Sequence, residues 1–193
     1  MTGRQVALVV FFMFGGLALP AAAAQQGATG GEWRSHGGDA GSTKYTPLDQ
    51  ITSENFSSLE LAWHWRTVDT HLVQVSESGA SLVPAEQLFA RLEAEDPDRW
   101  RRRPRITRLA ATPLMVNGLL YLSTPLYRAA AIDATTGKTR WVYDPRAYES
   151  GTPAVVPWNH RGVAYWENSG EARVVWATGD GYLVAVDAKT GLP

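Results

Sequence analysis

Cysteine is absent from the 193-residue chain. That absence excludes disulfide bonds and thiolate metal sites. An excess of charge of one sign is also lacking, because 18 basic and 19 acidic residues leave a net charge of −1. No overall field would therefore attract nucleic acid, and we expect no nucleic-acid partner. Gly-rich phosphate loops, nucleophile elbows and zinc-binding patterns are missing as well.

Long apolar runs are missing except near the N-terminus. Arg4 precedes an uncharged run, Val6–Leu19, and small residues, Ala21–Ala24, follow it. A basic start, a short apolar stretch and a small-residue exit are typical of a secretory signal peptide. The run is shorter than the ~20 residues that a membrane-spanning helix needs. We predict a signal peptide at 1–24, a flexible leader at 25–31, periplasmic export and no transmembrane segment in the mature chain; an uncleaved N-terminal anchor is the alternative.

Turn-forming residues and tryptophan are plentiful, with 18 Gly, 11 Pro and eight Trp, which suits an all-β protein. The stretch Ala111–Asp144 predicts four short antiparallel strands joined by tight turns. Asn117-Gly118 supplies the two positive-φ positions that a two-residue hairpin needs. A second turn, Asp133–Lys138, is closed by a glycine. The predicted strands are Thr112–Val116, Leu119–Ser123, Ala129–Ile132 and Thr139–Tyr143.

The sequence Ala-x-Asp-Ala-x-Thr-Gly occurs twice, at Ala131–Gly137 and again at Ala185–Gly191. The matching positions of the two copies are 54 residues apart (131 and 185). A repeat with a period near 50 residues that contains strands, glycine turns and a tryptophan indicates a β-propeller. We expect about two blades of an incomplete propeller. The strand that would carry the second repeat's tryptophan falls beyond Pro193, which predicts that the chain is the front of something longer.

Several single residues have predicted structural roles within this pattern. Trp141 is predicted to dock between blades, and the carboxylates of Asp133 and Asp187 are predicted to cap turns. The segment Leu61–Thr67 alternates apolar and polar residues as a half-buried strand does. It resembles the Trp141 strand, and we suggest that it closes the ring by joining the last blade.

Residues 76–108 interrupt the strand pattern and are predicted to form an insertion. Leu88, Phe89 and Leu92 share one face of a predicted helix at 84–95. Six arginines then crowd into residues 99–108. These arginines are either a docking patch for anionic lipid or a partner, or a solvated loop that neighbouring carboxylates neutralise. The neutralising candidates are Glu86, Glu93, Glu95, Asp96 and Asp98.

Several motifs together resemble the PQQ-dependent dehydrogenases, which are eight-bladed quinoprotein alcohol and glucose dehydrogenases. The resemblance covers roughly residues 32–193 apart from the insertion, and its motifs come in the family's order and spacing. They are W-x-x-H-G-G-D at Trp33–Asp39, T-K-Y-T-P-L-D-Q-I at Thr43–Ile51, L-x-x-A-W at Leu59–Trp63, A-T-P-L-M-V-N-G at Ala111–Gly118, A-x-D-A-x-T-G-K-x-x-W at Ala131–Trp141 and H-R-G-V-A-Y-W at His160–Trp166.

The resemblance implies the N-terminal portion of a periplasmic enzyme that oxidises an alcohol or aldose by hydride transfer to PQQ. It implies PQQ and Ca²⁺ as cofactors and an electron acceptor such as a cytochrome or quinone. It also implies that the Ca²⁺ ligands and the catalytic aspartate lie beyond residue 193. We therefore expect no catalytic or metal-binding residue within this chain, and no activity from the chain alone.

Five residues match cofactor-binding positions of the family or border them. Arg161 matches an arginine that hydrogen-bonds the quinone oxygens, and Ala110 stands where an acidic residue often contacts the cofactor. Val155 and Val156 occupy the positions of two adjacent cysteines that cover one face of PQQ in many alcohol dehydrogenases, which favours the members without those cysteines. His160 borders the same site and either shuttles protons or hydrogen-bonds backbone at a strand end.

Two other classes of function remain open at the level of sequence. A non-catalytic propeller scaffold that binds envelope proteins would share the Ala-x-Asp repeat and need no cofactor. Such a scaffold has no evident reason to carry Trp33–Ile51 and His160–Trp166. A truncated, non-functional reading frame is the other possibility. The remaining histidines show no metal-ligand spacing, and structural roles are expected for His36, His64 and His71.

Overall fold

The computed structural model of the chain describes residues 27–76, 79–154 and 158–193. The predicted signal peptide lies outside this range, so it stays a prediction. The predicted leader extends to Gly31, yet Ala28 is already buried and its N–H donates to the Tyr45 carbonyl at 2.9 Å. Across the described residues, no helix has both the length and the apolar character to cross a bilayer.

Most of the predicted four-strand unit is confirmed as one antiparallel sheet. Its strands, in hydrogen-bonded order, are β3 (Leu114–Val116), β4 (Leu119–Ser123), β5 (Ala129–Asp133) and β6 (Thr139–Tyr143). The first strand starts two residues later than predicted, because the Thr112 N–H donates to the Arg161 carbonyl at 3.1 Å instead of joining the sheet. Asn117 and Gly118 both adopt positive φ, 51° and 77°, as the two-residue hairpin requires.

The second repeat forms a three-stranded antiparallel sheet of β7 (Ala164–Asn168), β8 (Glu171–Ala177) and β9 (Leu183–Asp187). The two Ala-x-Asp segments lie in β5 and β9, the third strand of each sheet. Asp133 and Asp187 then cap equivalent turns, each accepting hydrogen bonds from the backbone and hydroxyl of the threonine three residues on. The repeat therefore marks equivalent places in neighbouring sheets, as predicted.

Buried side chains from both sheets form one hydrophobic cluster between them. Trp176 of β8 lies 5.8 Å from the Tyr143 ring and donates its indole N–H to the Tyr127 carbonyl at 2.8 Å. The two sheets are thus held together by apolar contact and by a directed hydrogen bond. The buried members are Leu114, Val116, Tyr121, Ala129, Ala131, Val174, Trp176, Val186 and Ala188.

Two tryptophans dock on the capped turns in the same way. Trp141 donates its indole N–H to the Ala188 carbonyl at 2.9 Å, which confirms its predicted docking role. Trp63 donates to the Ala134 carbonyl at 3.0 Å, the equivalent atom of the first repeat. The segment Leu61–Thr67 therefore lies beside the first sheet as β6 lies beside the second. It joins no strand ladder among the described residues, and its ring-closing role stays a prediction.

The predicted insertion at 76–108 contains a strand as well as the helix, and the hairpin to which that strand belongs begins before residue 76. Strands β1 (His71–Ser76) and β2 (Gly79–Pro84) form this hairpin, and α1 (Ala85–Glu95) follows β2 directly. The helix confirms the prediction almost to the residue, and its Phe89 is buried with Leu88 and Leu92 packed beside it. This second hydrophobic cluster comprises Leu72, Ala85, Phe89, Trp100, Ile106, Leu126, Tyr127, Ala147, Tyr148 and Trp158.

A buried ionic group joins the turn before β1 to the first sheet. Asp69 is fully buried and accepts hydrogen bonds from the Thr124 hydroxyl and the Leu126 N–H, both at 2.9 Å. Arg128 lies 3.8 Å from Asp69, pairs with Asp144 at 2.9 Å and donates to the Val68 carbonyl at 2.7 Å. The polar groups are satisfied, so burial of these charges is compensated by hydrogen bonds.

Candidate functional site

A cavity of about 670 Å³ lies at one end of the second sheet, beside the turn that carries His160 and Arg161. Its volume is within the range of small-molecule pockets. Apolar side chains of β8 and β9 supply much of its wall. The lining residues are Tyr127, Ala154, Asn159, His160, Arg161, Gly162, Ala164, Val175, Trp176, Ala177, Thr178, Gly179, Gly181 and Leu183.

Arg161 brings a solvent-exposed guanidinium to this cavity. Its backbone is fixed, because its carbonyl accepts a hydrogen bond from the Thr112 N–H at 3.1 Å. Within the described part of the chain, its side chain lies within 4 Å of no carboxylate. A forked cation with five N–H donors is therefore held at the cavity with its hydrogen-bonding capacity available.

His160 is held by hydrogen bonds at both ring nitrogens. Its Nε2 lies 2.8 Å from the carbonyl of Ala177, the last residue of β8. A carbonyl can only accept, so Nε2 carries the proton and Nδ1 accepts from the Ser123 hydroxyl of β4. Burial lowers the pKa of His160, which favours the neutral ring in this arrangement. The His160 side chain thus crosslinks β4 and β8 at the residue before Arg161.

Two aromatic residues beside the turn adopt left-handed backbone conformations, at φ 62° for Tyr127 and 57° for Trp158. Such conformations cost of order 1 kcal/mol for a residue other than glycine and persist where the surroundings enforce them. The Tyr127 ring packs edge-on against His160 at 5.5 Å. The buried Trp158 donates its indole N–H to the Arg102 carbonyl at 2.5 Å. These contacts hold His160 and, two residues before it, Trp158.

The predicted cofactor-binding residues do not all share one cavity. His160 and Arg161 line the same one, whereas Ala110 lines an adjoining cleft of about 600 Å³. Asn159 lines both, so the two spaces are neighbours. Ala110 is exposed and has no polar side-chain atom with which to replace an acidic contact. Val155 and Val156 lie outside the described residues.

Three residues at this site were not singled out by sequence reasoning. Ser123 is buried in β4, and the sequence predicted it only as part of a strand. No neighbouring residue in the sequence indicated its hydrogen bond to His160. Tyr127 sits in a loop without a motif. Asn159 directly precedes the H-R-G-V-A-Y-W motif at His160–Trp166, so its place beside that motif was the one available signal.

No group of three or more histidine, aspartate or glutamate side chains that could hold a metal ion occurs in the described ranges. Arg161, by contrast, offers the kind of donor that a quinone and its carboxylates require, beside apolar walls on which a planar ring can rest. The described residues thus fit part of an organic cofactor site.

The family model of the PQQ glucose/ethanol/alcohol dehydrogenase β-propeller domain matches residues 33–193. The chain belongs to the PQQ-dependent glucose, ethanol and alcohol dehydrogenase family. The resemblance read from the motifs is therefore confirmed, and the two sheets are neighbouring blades of a PQQ-dependent dehydrogenase β-propeller.

Relatives of known activity are similar over most of this chain. The dehydrogenase subunit of a quinone-linked alcohol dehydrogenase from Gluconobacter oxydans is 34% identical over 165 residues, which are 83% of this chain and 16% of that protein. A cytochrome c-linked 1-butanol dehydrogenase from Thauera butanivorans is 33% identical over 85% of this chain and 18% of its own length.

A solved structure of a family member supports the same architecture. The quinohemoprotein alcohol dehydrogenase of Comamonas testosteroni matches with a TM-score of 0.58 and 28% identity, over 87% of this chain and 19% of that one. This PQQ-dependent dehydrogenase chain thus spans less than a fifth of the length of the relatives compared.

Proposed function

We propose that this chain supplies the Arg161 side of a PQQ site in a periplasmic dehydrogenase that oxidises an alcohol or aldose. The observation that carries the proposal is the exposed guanidinium of Arg161 at the cavity of the second blade, which pairs with no carboxylate among the described residues. The family supports the cofactor, and the names of the relatives support an alcohol as substrate and a cytochrome as electron acceptor.

Arg161 binds and orients in this proposal. Its planar, forked guanidinium matches two adjacent quinone oxygens, and its permanent charge stabilises negative charge that develops on them. PQQ, when bound, supplies the redox chemistry by accepting a hydride from the substrate. The apolar side chains of β8 and β9 in the cavity wall offer a surface against which the planar ring can pack.

His160 acts as a positioning residue in this proposal. Because Nε2–H donates to Ala177 and Nδ1 accepts from Ser123, neither ring nitrogen is left to take a substrate proton. The ring instead fixes the turn from which Arg161 projects. The base that removes the substrate proton, and any Ca²⁺ ligands, are proposed to come from other parts of the enzyme.

The test is calorimetric titration of the full chain with PQQ. Arg161→Ala is expected to weaken binding about tenfold or more, as loss of a charge-assisted hydrogen bond does. Arg161→Lys should recover only part of the affinity, because an ammonium lacks the fork. Arg66→Ala removes an exposed arginine outside the cavity and serves as the matched control.

Equal PQQ affinity in the Arg161→Ala and Arg66→Ala variants would contradict the role of Arg161. A second measurement supplies PQQ, Ca²⁺, a dye acceptor and either ethanol or glucose. Because the chain spans under a fifth of its relatives, we expect no sustained dye reduction by the chain alone. Sustained turnover would overturn the proposal that the chain carries only one side of the site.

A further inference from the structure

The cleft beside Ala110 is lined by arginine from a single segment of the insertion. Arg102, Arg103, Arg105 and Arg108 face Trp158 and Asn159 around about 600 Å³. This volume lies within the range of small-molecule sites, and the described lining residues include no carboxylate. The arrangement concentrates positive charge in a concave space, where the potential is stronger than on a flat surface.

Neighbouring carboxylates leave most of this charge uncompensated. Of the six arginines in residues 99–108, Arg103 is the one that pairs with a carboxylate within 4 Å among the described residues, and its partner is Glu93. Glu95 instead pairs with Arg91 on the helix, and the Asp96 carboxylate accepts from the Arg99 backbone N–H at 3.0 Å. The expectation of a neutralised loop therefore holds for one arginine only.

The arginine segment is anchored, so its side chains converge on a defined space. The Trp158 indole donates to the Arg102 carbonyl at 2.5 Å, and the Thr152 N–H donates to the Arg99 carbonyl at 2.8 Å. Ile106 is buried in the hydrophobic cluster below. A backbone fixed on both sides reduces the conformational entropy that ligand binding would otherwise cost.

We infer that this cleft binds a small organic anion that carries two or more carboxylate or phosphate groups. Several converging guanidinium groups suit such groups, because each fork can donate two parallel hydrogen bonds to one of them. The Trp158 side chain supplies an apolar wall for the carbon skeleton. The site is independent of the proposed dehydrogenase activity, although it adjoins the Arg161 cavity through Asn159.

Citrate is the probe, titrated calorimetrically into the full chain at low salt. Arg105→Gln/Arg108→Gln removes two cleft charges and is expected to weaken citrate binding at least about tenfold. Arg91→Gln/Arg101→Gln removes the same charge from exposed positions that do not line the cleft, and less than about a twofold change is expected. High salt should weaken binding to the unmodified chain.

The source of the anion is distinguished by repeating the titration with PQQ, itself a tricarboxylate. Unchanged citrate affinity in the presence of PQQ identifies a separate molecule as the natural occupant and supports the inference. Competition between PQQ and citrate shows that the cleft is part of the cofactor site and overturns the inference.

Three further results overturn the inference. The first is that the chain binds no citrate although its near-ultraviolet circular dichroism shows that it is folded. The others are that both double variants weaken citrate binding equally, or that the chain binds only to phosphatidylglycerol vesicles. The last would identify the arginines as a membrane-docking patch. Failure of PQQ to bind at Arg161 would not alter any of these measurements.

Discussion

At the scale of single residues, burial shifts the pKa of two titratable side chains in the direction that favours the neutral form. Desolvation raises the pKa of Asp69 to about 6, against the lowering effect of its hydrogen bonds from Leu126 and Thr124 and of nearby Arg128. The same effect lowers the pKa of His160. Loss of water destabilises the charged form in both cases. The side chain of Arg161 is exposed and is therefore accessible to a ligand.

The raised pKa of Asp69 predicts how stability depends on pH. The folded chain binds this proton more tightly than the unfolded chain, so the contribution of Asp69 to stability is fully present below pH ~4 and is lost as pH rises to ~6. The unmodified chain should therefore lose stability relative to Asp69→Asn over this window, by up to about 3 kcal/mol. Urea denaturation at several pH values measures the difference.

Asp133→Asn is the contrasting control for this prediction. Hydrogen bonds from Arg140 and Thr136 lower the pKa of Asp133 to about 2. The contribution of Asp133 to stability is therefore present above pH ~4 and is lost as pH falls towards 2. This pH dependence is opposite in direction to that of Asp69. Parallel stability curves for the unmodified chain and Asp69→Asn between pH 4 and 6 would refute the role of Asp69.

At the scale of elements, the glycine of each capped turn packs against the indole ring of a tryptophan. Gly191 has φ 72°, and a Cβ atom there would lie 2.6 Å from Trp141. Gly137 meets Trp63 at the same distance. A side chain at either position would push the indole away from the carbonyl to which it donates. The glycines of the repeat thus serve both the turn and the contact between neighbouring blades.

Gly191→Ala should destabilise the chain more than a glycine substitution that meets no neighbour. We expect an additional loss of about 1–3 kcal/mol from the clash, beyond the cost of the left-handed conformation. Gly170→Ala is the matched control, because Gly170 has φ 87° and a Cβ atom there would meet no atom of the described residues within 4 Å. Urea denaturation of both variants tests this, and equal losses would show that Trp141 moves aside freely.

At the scale of the whole molecule, the two blades and the hairpin–helix insertion have separate hydrophobic clusters. The insertion cluster reaches the loop beyond β4 through Leu126 and Tyr127, and the buried Asp69–Arg128 group lies beside it. The Arg161 cavity and the arginine cleft therefore adjoin where the insertion approaches the second blade. Their positions depend on this packing and not on either element alone.

Amide hydrogen exchange would show which segments of the chain are hydrogen-bonded in a sheet. Leu61–Thr67 joins no ladder in the described residues, so its amides should exchange much faster than those of β5, which is paired on both sides. Protection of Leu61–Thr67 equal to that of β5 would contradict this expectation and reveal a strand partner.

The sequence by itself determined those features that depend on residues close together along the chain. Asn117-Gly118, the Asp133 and Asp187 turns and α1 each depend on residues a few positions apart, and all were predicted. The docking of Trp141 followed from the repeat. Family motifs indicated the cofactor class, and they made Arg161 a candidate cofactor-binding residue, which stays a prediction.

Tertiary packing decided the rest, because it brings together groups that no local pattern relates. Ser123 meets His160 only after two blades pack, and Asp69 meets Arg128 only after the turn before β1 folds against the first sheet. The arginines of 99–108 follow carboxylates in sequence, yet Arg102, Arg105 and Arg108 line a cleft and pair with none of those neighbours among the described residues. Closeness along the chain does not fix the direction in which an exposed side chain points.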